Sequence, residues 1–485
     1  MAIDSSGGNS CGSRALRILH VIPHLRAGGA AGSMATTVRR LQAAGFAAEH
    51  RVLPLEAIVS PLIRIELARG GVALLPGPAA ETAALAATDV ILLHFWTTPA
   101  SLAFIERLPP RVPVVAWIQV AGTAPPQVVP PALARRADRI LLTAPCTALL
   151  PPLAGMTLPA PAEVLRAPAN LEPLQGLAPV PHAGFVVTYV GTVGPGKIHP
   201  DFVALSLSAG LPDARFVLCG GGGGEPALTA AATAAGAPER FDLRGHVRDL
   251  VPVLAGSDVF GYPLAPDTYS SSDRSLQEAM AAGLPPVILP YGGIPTMVEH
   301  EVSGLVVPER EYGAALALLH ADPGLRARLG AGAARHARRE FDAGRTCARL
   351  AAILGEVTAG PVRTRPASPE PPPPFPAARR FADALGPWGK AFRDSLAGDD
   401  RADAAIAALP ADQVRVEGGL FHQRNGMPDD GMLRYWTGLV LAAEGRIPAA
   451  ARELAAAIAA GAAVERAGRR LANMRDDGVP PDPLS

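Results

Sequence analysis

Short apolar runs, rich in β-branched residues and too brief for helices, recur along residues 15–308 with helical stretches between them. ALRILHVI (15–22), RVLPL (51–55), GVALLPG (71–77), DVILLHFW (89–96), VPVVAWIQV (112–120) and DRILLTAP (138–145) make a first series. FVVTYVG (185–191), ARFVLCGGGGG (214–224), FDLRGHV (241–247), DVFGYPL (258–264), PPVILPYGG (285–293) and GLVVP (304–308) make a second. Continuous apolar runs suit strands covered on both faces, and strands that alternate with helices pair in parallel. The chain, at 485 residues, is also too long for one core. The pattern predicts an α/β protein of two doubly wound, Rossmann-like domains, 14–168 and 169–357, with VLRAPAN (164–170) as the crossover. Ligands of such a pair belong in the cleft, at the carboxyl ends of both sheets. The helical region from Glu311 to about Val357 is expected to complete the second domain.

Residues 1–13 lack an apolar run, carry no signal-peptide pattern and are expected to be disordered. Residues 358–378 are Pro-rich and read as an extended spacer. Beyond them, 379–476 is alanine-rich with helical periodicity, a small all-α segment. Within it Tyr435–Ala463 has Gly438, Gly445, Ala450, Leu454 and Ala457 where a tetratricopeptide repeat has small and apolar residues. A plain helical hairpin reads as well, and stacking normally takes about three repeats. Protein contact, oligomerisation and acceptor delivery all remain open as roles for this tail.

Formal net charge is zero, so long-range attraction to nucleic acid or an anionic membrane is not expected. The longest apolar stretches fall short of the ~20 residues a membrane helix needs. A cytoplasmic protein follows as the expectation, with peripheral contact at a membrane left open. Cys11, Cys146, Cys219 and Cys347 are scattered without CxxC spacing, and read as idle thiols in a reducing compartment. No Asp-x-Asp pair stands at a strand end, and no metal or cofactor site is expected. Asp399-Asp400 and Asp429-Asp430, in the tail, read as solvated surface.

Chemistry concentrates in YPLAPDTYSSSDRSLQEAMAAGLPPVILPYGGIPTMVEHEVSGLVVP (262–308). A helix opening after Ser270, Ser271 and Ser272 offers unpartnered backbone amides to a phosphate. Glu278, two turns on, can accept from sugar or ribose hydroxyls. In the first domain, Gly28 and Gly29 lie between the first strand and its helix, where missing side chains admit a phosphate or sugar. That loop is not GxGxxG, which disfavours a nicotinamide enzyme. His94, near the carboxyl end of its strand, is a candidate for the catalytic set, and Trp96 for stacking on a sugar. A hydrogen-bonded strand-end imidazole is the plainer reading of His94.

The 241–308 block resembles the nucleotide-binding signature of the family 4 glycosyltransferases, retaining enzymes of the GT-B fold. Glu278 falls on the second Glu of that signature, which in the family bonds the ribose hydroxyls. The first Glu, which contacts the donor sugar, falls on Ser270, and Asp273 is a weaker substitute nearby. YVGTVGPGKIHPDF (189–202) resembles the segment whose Arg and Lys stabilise the leaving diphosphate; Lys197 keeps the Lys, and Thr192 replaces the Arg. The resemblance implies that the loop around Gly222 lies near the nucleotide, that main chain at Val247 and Arg248 reads the base, and that amides at Ser271 and Ser272 hold the diphosphate. Gln119 stands where the family often has a His approaching the donor sugar. The implied reaction is metal-independent transfer from a nucleoside diphosphate-sugar to a hydroxyl of a glycan, lipid-linked or protein acceptor. Thr192, Ser270 and Gln119 keep a second expectation alive: a GT-B scaffold, weak or inactive, that binds a nucleotide or a protein partner.

Overall fold

The computed structural model describes residues 15–151, 153–361, 363–365 and 372–476. The expected N-terminal disorder, Cys11, and most of the Pro-rich spacer's centre lie outside the described residues. Two parallel sheets carry the molecule. The first contains β1 (Leu16–Ile22), β2 (Ala48–Pro54), β3 (Ala73–Leu74), β4 (Val90–Phe95), β5 (Val114–Ile118), β6 (Arg139–Leu142) and β7 (Glu163–Val164). Its order is β3-β2-β1-β4-β5-β6-β7. The second contains β8 (Phe185–Val190), β9 (Ala214–Cys219), β10 (Phe241–Gly245), β11 (Val259–Tyr262), β12 (Pro286–Ile288) and β13 (Leu305–Val306), ordered β10-β9-β8-β11-β12-β13. Strand order therefore reverses beside β1 and β4 in one sheet and beside β8 and β11 in the other. Those switch points open a crevice at the carboxyl ends, where open α/β sheets bind ligands.

The sheets bury both faces, as their continuous apolar runs require. Every residue of β4 and of β5 is buried. Each sheet satisfies an amide of its first strand with an acid placed just before the switch-point partner: Asp89 accepts from Arg17 N at 2.9 Å, and Asp258 from Val186 N at 2.9 Å. Helices Tyr312–Ala321 and Pro323–Glu340 cover the second sheet, through Leu316, Leu319, Leu329 and Ala333. The next helix, Ala343–Ala359, does not. Its Cys347, Leu350, Ile353 and Leu354 pack on Ile18, Val90, Leu92 and Trp117 of the first sheet. That corrects the expectation that the whole 311–357 region completes the second domain. The apolar stripe was readable, but a stripe does not name the sheet that buries it.

After this helix the chain stays on the first domain. Arg365, 3% exposed, donates to the carbonyls of Arg136, Pro109 and Val112 and pairs with Asp138. The described part of the expected spacer is thus a clamp, because a buried guanidinium needs several acceptors at once. A third core follows, built around Phe381, Phe392, Leu433, Trp436 and Leu454. Asp430 is not solvated surface: its carboxylate is buried and accepts from Ala377 N and Ala378 N as well as Met432 N and Leu433 N, so one side chain caps two helices. Asp399 likewise caps the helix Asp400–Ala407. The helices Gly431–Ala443 and Ile447–Ala459 form the hairpin expected from Tyr435–Ala463, with Leu454 against Gly438. No helix among the described residues is long and apolar enough to cross a membrane.

Candidate functional site at the interdomain crevice

The loop after β8 is shaped by glycines on two segments. A Cβ on Gly220 (φ +144°) would lie 1.8 Å from the Gly191 carbonyl, and one on Gly222 would lie 2.6 Å from the Thr192 methyl. Backbone thus packs on backbone, and Gly224 N bonds Val193 O at 2.9 Å. Gly222 and Thr192 support each other in this loop. The turn delivers Lys197, 6% exposed, to the N-terminus of helix Arg274–Ala281. Its Nζ donates to Ser270 Oγ at 2.6 Å, pairs with the Asp273 carboxylate, and lies 5.4 Å and 5.5 Å from the rings of Tyr262 and Tyr269. Tyr262 Oη donates to Asp273 at 2.7 Å. Asp273 occupies the helix N-cap position, yet its side chain makes no cap bond, because Lys197 and Tyr262 draw it away.

The serines do more than line a phosphate loop. Ser271 Oγ donates to the Gln119 carbonyl at 3.0 Å and accepts from Thr143 Oγ1 at 2.8 Å, both in the first domain. Ser272 Oγ accepts from Gln277 at 3.1 Å. Tyr269 O accepts from Ala121 N at 2.9 Å across the same seam. The amides of Ser271 and Ser272 take no partner among the described residues, so they keep the donor capacity an anion needs. Glu278 pairs with Arg274 one turn earlier at 3.2 Å. Burial pushes the Glu278 carboxyl up from its ordinary value, and Arg274 opposes that shift. Lys197 and Glu278 are therefore held through consecutive residues, Asp273 and Arg274, at one helix end.

Arg274 carried no sequence signal of its own. Its guanidinium lies where a Cβ on Gly32 would stand, at 1.8 Å. Gly32 lies inside the first helix, Gly29–Ala43, rather than in a glycine loop, and that helix meets the second domain there. Gly28 and Gly29 are exposed and face open space. Gln119 keeps its side chain on the Trp117 carbonyl at 3.4 Å. Val247 packs against the outer face of β9, and Arg248 is exposed.

His94 is removed from the crevice. It is 1% exposed, with its ring near Trp117 and its Nε2 3.2 Å from His20 Nδ1; His20 Nε2 in turn lies 2.9 Å from His50 Nδ1. Burial holds His94 down to about 3 and His50 down to about 4. The imidazole sits inside the sheet rather than past its edge, which fits the plainer reading of a strand-end His. Trp96, just after β4, does reach the edge, where its Nε1 meets Glu417 of the tail. A hollow of about 290 Å³ beside His182, Asp258 and Arg326 opens before β11 and β12, at the opposite edge, and shares no residue with this site.

Residues 184–322 match the family described as "Glycosyl transferases group 1". A D-inositol 3-phosphate glycosyltransferase from Salinispora tropica is 34% identical over 199 residues, 37% of this chain and 40% of the relative. The amylovoran biosynthesis glycosyltransferase AmsK of Erwinia amylovora is 42% identical over 72 residues, 14% of this chain and 15% of the relative. The chain thus spans at most about two fifths of the length of these curated relatives. Anabaena Alr3699/HepE, solved with UDP and glucose, shares the fold with a TM-score of 0.56 at 17% identity, over 70% of this chain and 99% of that one. Sucrose-phosphate synthase from Thermosynechococcus elongatus does so at 0.56 and 19%, over 71% and 99%. The architecture is GT-B, with a helical region added at the C-terminal side.

Proposed function

We propose that this chain, whose second domain is a group 1 glycosyltransferase domain, is a retaining, metal-independent hexosyltransferase that moves a sugar from a nucleoside diphosphate donor to a hydroxyl acceptor. One observation carries the reading: a buried ammonium and free amides stand at the N-terminus of helix Arg274–Ala281 beside the interdomain seam, and Glu278, half-buried one turn along, pairs back to Arg274 at that end. The diphosphate would sit on the amides of Ser271 and Ser272, with Lys197 against the charge that grows as the anomeric bond breaks. A preorganised cation in a water-poor site acts mainly on the transition state. Glu278 would take the ribose hydroxyls. Arg274, reaching from this helix to Gly32, is placed to supply the second cation where Thr192 replaces an arginine. Front-face attack needs no dedicated side-chain base, which is compatible with Gln119 and Ser270.

The structural neighbours solved with UDP support a uridine donor, and the curated relatives suggest D-inositol 3-phosphate as one acceptor to try. Release of UDP or GDP from UDP-glucose, UDP-N-acetylglucosamine and GDP-mannose, with and without that acceptor and simple glycosides, tests the proposal. Lys197→Ala should lower turnover by about 100-fold or more, the usual effect of losing one preorganised donor, and Glu278→Ala should raise the donor KM. Wild-type rates in both variants would remove this site from the reaction. The scaffold reading has one observation in its favour, that Asp273 already neutralises Lys197. Nucleotide binding by the wild type without any transfer would select it.

A further inference from the structure

The tail reaches the carboxyl end of the first sheet. The turn between helices Ala411–Val414 and Leu420–Gly426 carries Glu417 to the ends of β1 and β4. Glu417 Oε1 lies 2.6 Å from His24 Nε2 and accepts from Trp96 Nε1 at 3.2 Å. His24 and Trp96 each follow a strand of the first sheet's switch point, where ligands of such sheets bind. The turn's backbone is fixed independently of this carboxylate. Gln127, itself buried, donates to the Glu417 carbonyl at 2.7 Å and holds Thr97 N at 2.9 Å. Gly418 (φ +84°) passes so close that a Cβ would lie 2.5 Å from the Thr97 carbonyl.

The Glu417 side chain remains 40% exposed, and its Oε2 has no partner among the described residues. A half-exposed contact of this kind adds at most about 1 kcal/mol, so holding the tail in place does not explain why a carboxylate stands here. Across the seam is Tyr269, whose phenol is raised mainly by burial and further by the Glu417 charge. The same ring lies 5.5 Å from Lys197 Nζ. Glu417 thus stands beside an indole edge with Tyr269 between it and Lys197, and its second oxygen has an acceptor capacity that suits hydroxyl groups.

We infer that the helical extension completes the acceptor side of the crevice, with the Glu417 carboxylate, steered by His24 and Trp96, accepting a hydrogen bond from a hydroxyl of a sugar-like or polyol acceptor. The inference rests on the transfer reaction proposed above. It assigns the tail a part in acceptor recognition, distinct from the nucleotide-sugar site in the second domain.

The test uses the full chain with the donor and acceptor pair selected above. Calorimetry with UDP or GDP reads the donor side, and initial rates against acceptor concentration read the other. Glu417→Gln should keep the nucleotide Kd within about twofold and raise the acceptor KM about tenfold or more, the loss of one hydrogen bond to a charged group. Glu417→Asp, which keeps the charge at shorter reach, should fall between. An unchanged acceptor KM in Glu417→Gln overturns the inference. So does an equal loss of nucleotide affinity, which would mean a general loosening of the crevice. A wild type that binds nucleotide and transfers nothing, or binds none, overturns the transfer reading itself, and that outcome is distinct because it precedes any variant.

Discussion

At the residue scale, charge placement decides what each side chain can do. Arg274 stands between Glu278 and the Gly32 backbone, with its Nε buried and without a partner among the described residues. An unpaired buried donor is costly, and a diphosphate oxygen would relieve it. Arg274→Ala should weaken UDP binding about tenfold or more, one to two charge-assisted hydrogen bonds, while Arg274→Lys recovers part of it. Unaltered affinity by calorimetry would confine Arg274 to its ion pair. The histidine chain makes the opposite use of burial. Two links among three rings need one proton each, so an added proton goes to an outer nitrogen and puts a charge in the buried chain, where His50 Nε2 has no partner among the described residues. His50 and His94 titrate near 4 and near 3 in the folded protein against about 6.5 unfolded. The unfolded chain therefore binds protons first as pH falls. Stability is complete above about 6.5 and declines from there down towards 3–4, with His50 alone contributing on the order of 3 kcal/mol at the limit. Thermal melts across pH 7 to 4 should show this acid limb, and His50→Gln should flatten it. A melting temperature indifferent to pH in that window would contradict the buried, neutral chain.

At the scale of elements, the tail depends on one acid. Asp430 accepts four amides from two helices, so Asp430→Ala should cost the tail about 2–4 kcal/mol, two caps lost together. Limited proteolysis should then cut within 372–476 while both sheets resist, and an unchanged cleavage pattern would refute the double cap. Elements were also what the sequence disclosed best. Each apolar run became a strand because the pattern that marks it lies within its own few residues, whichever helices then cover it. The positions of Lys197, in the loop after β8, and of Glu278, in the helix after the serines, were legible for a related reason, since their spacing from a strand and a serine turn is local. Arg274 and Glu417 were not. Their partners, Gly32, His24 and Trp96, are distant in the chain, and no local pattern marks a contact made only when two domains and a tail close together. Helix Ala343–Ala359 misled by the same limit, since its apolar face was plain and its destination was not.

At the scale of the whole molecule, the loop offered to the nucleotide is also the seam. Tyr269 O holds Ala121 N, Ser271 bridges Gln119 and Thr143, and Gln277 Nε2 donates to the Ala167 carbonyl at 2.9 Å. Gly293 closes the contact, because a Cβ there would lie 2.5 Å from Ala144 Cβ. A ligand that fixes Ser271 and Ser272 must therefore also fix the edge of the first sheet, although it touches that sheet little. Saturating nucleotide at about 100 times its Kd adds roughly 2.7 kcal/mol to the folded state. Hydrogen exchange should show where that stabilisation goes. With UDP bound, protection should rise in 268–278 and also in 119–123 and 143–147 of the first domain. Thr143→Val with Ser271→Ala removes the bridging hydroxyls and leaves the loop's amides in place. In that variant the protection should shrink back to the second domain while nucleotide binding persists. Protection confined to the second domain in the wild type would mean the seam opens freely, and the two domains would then bind their substrates as independent bodies.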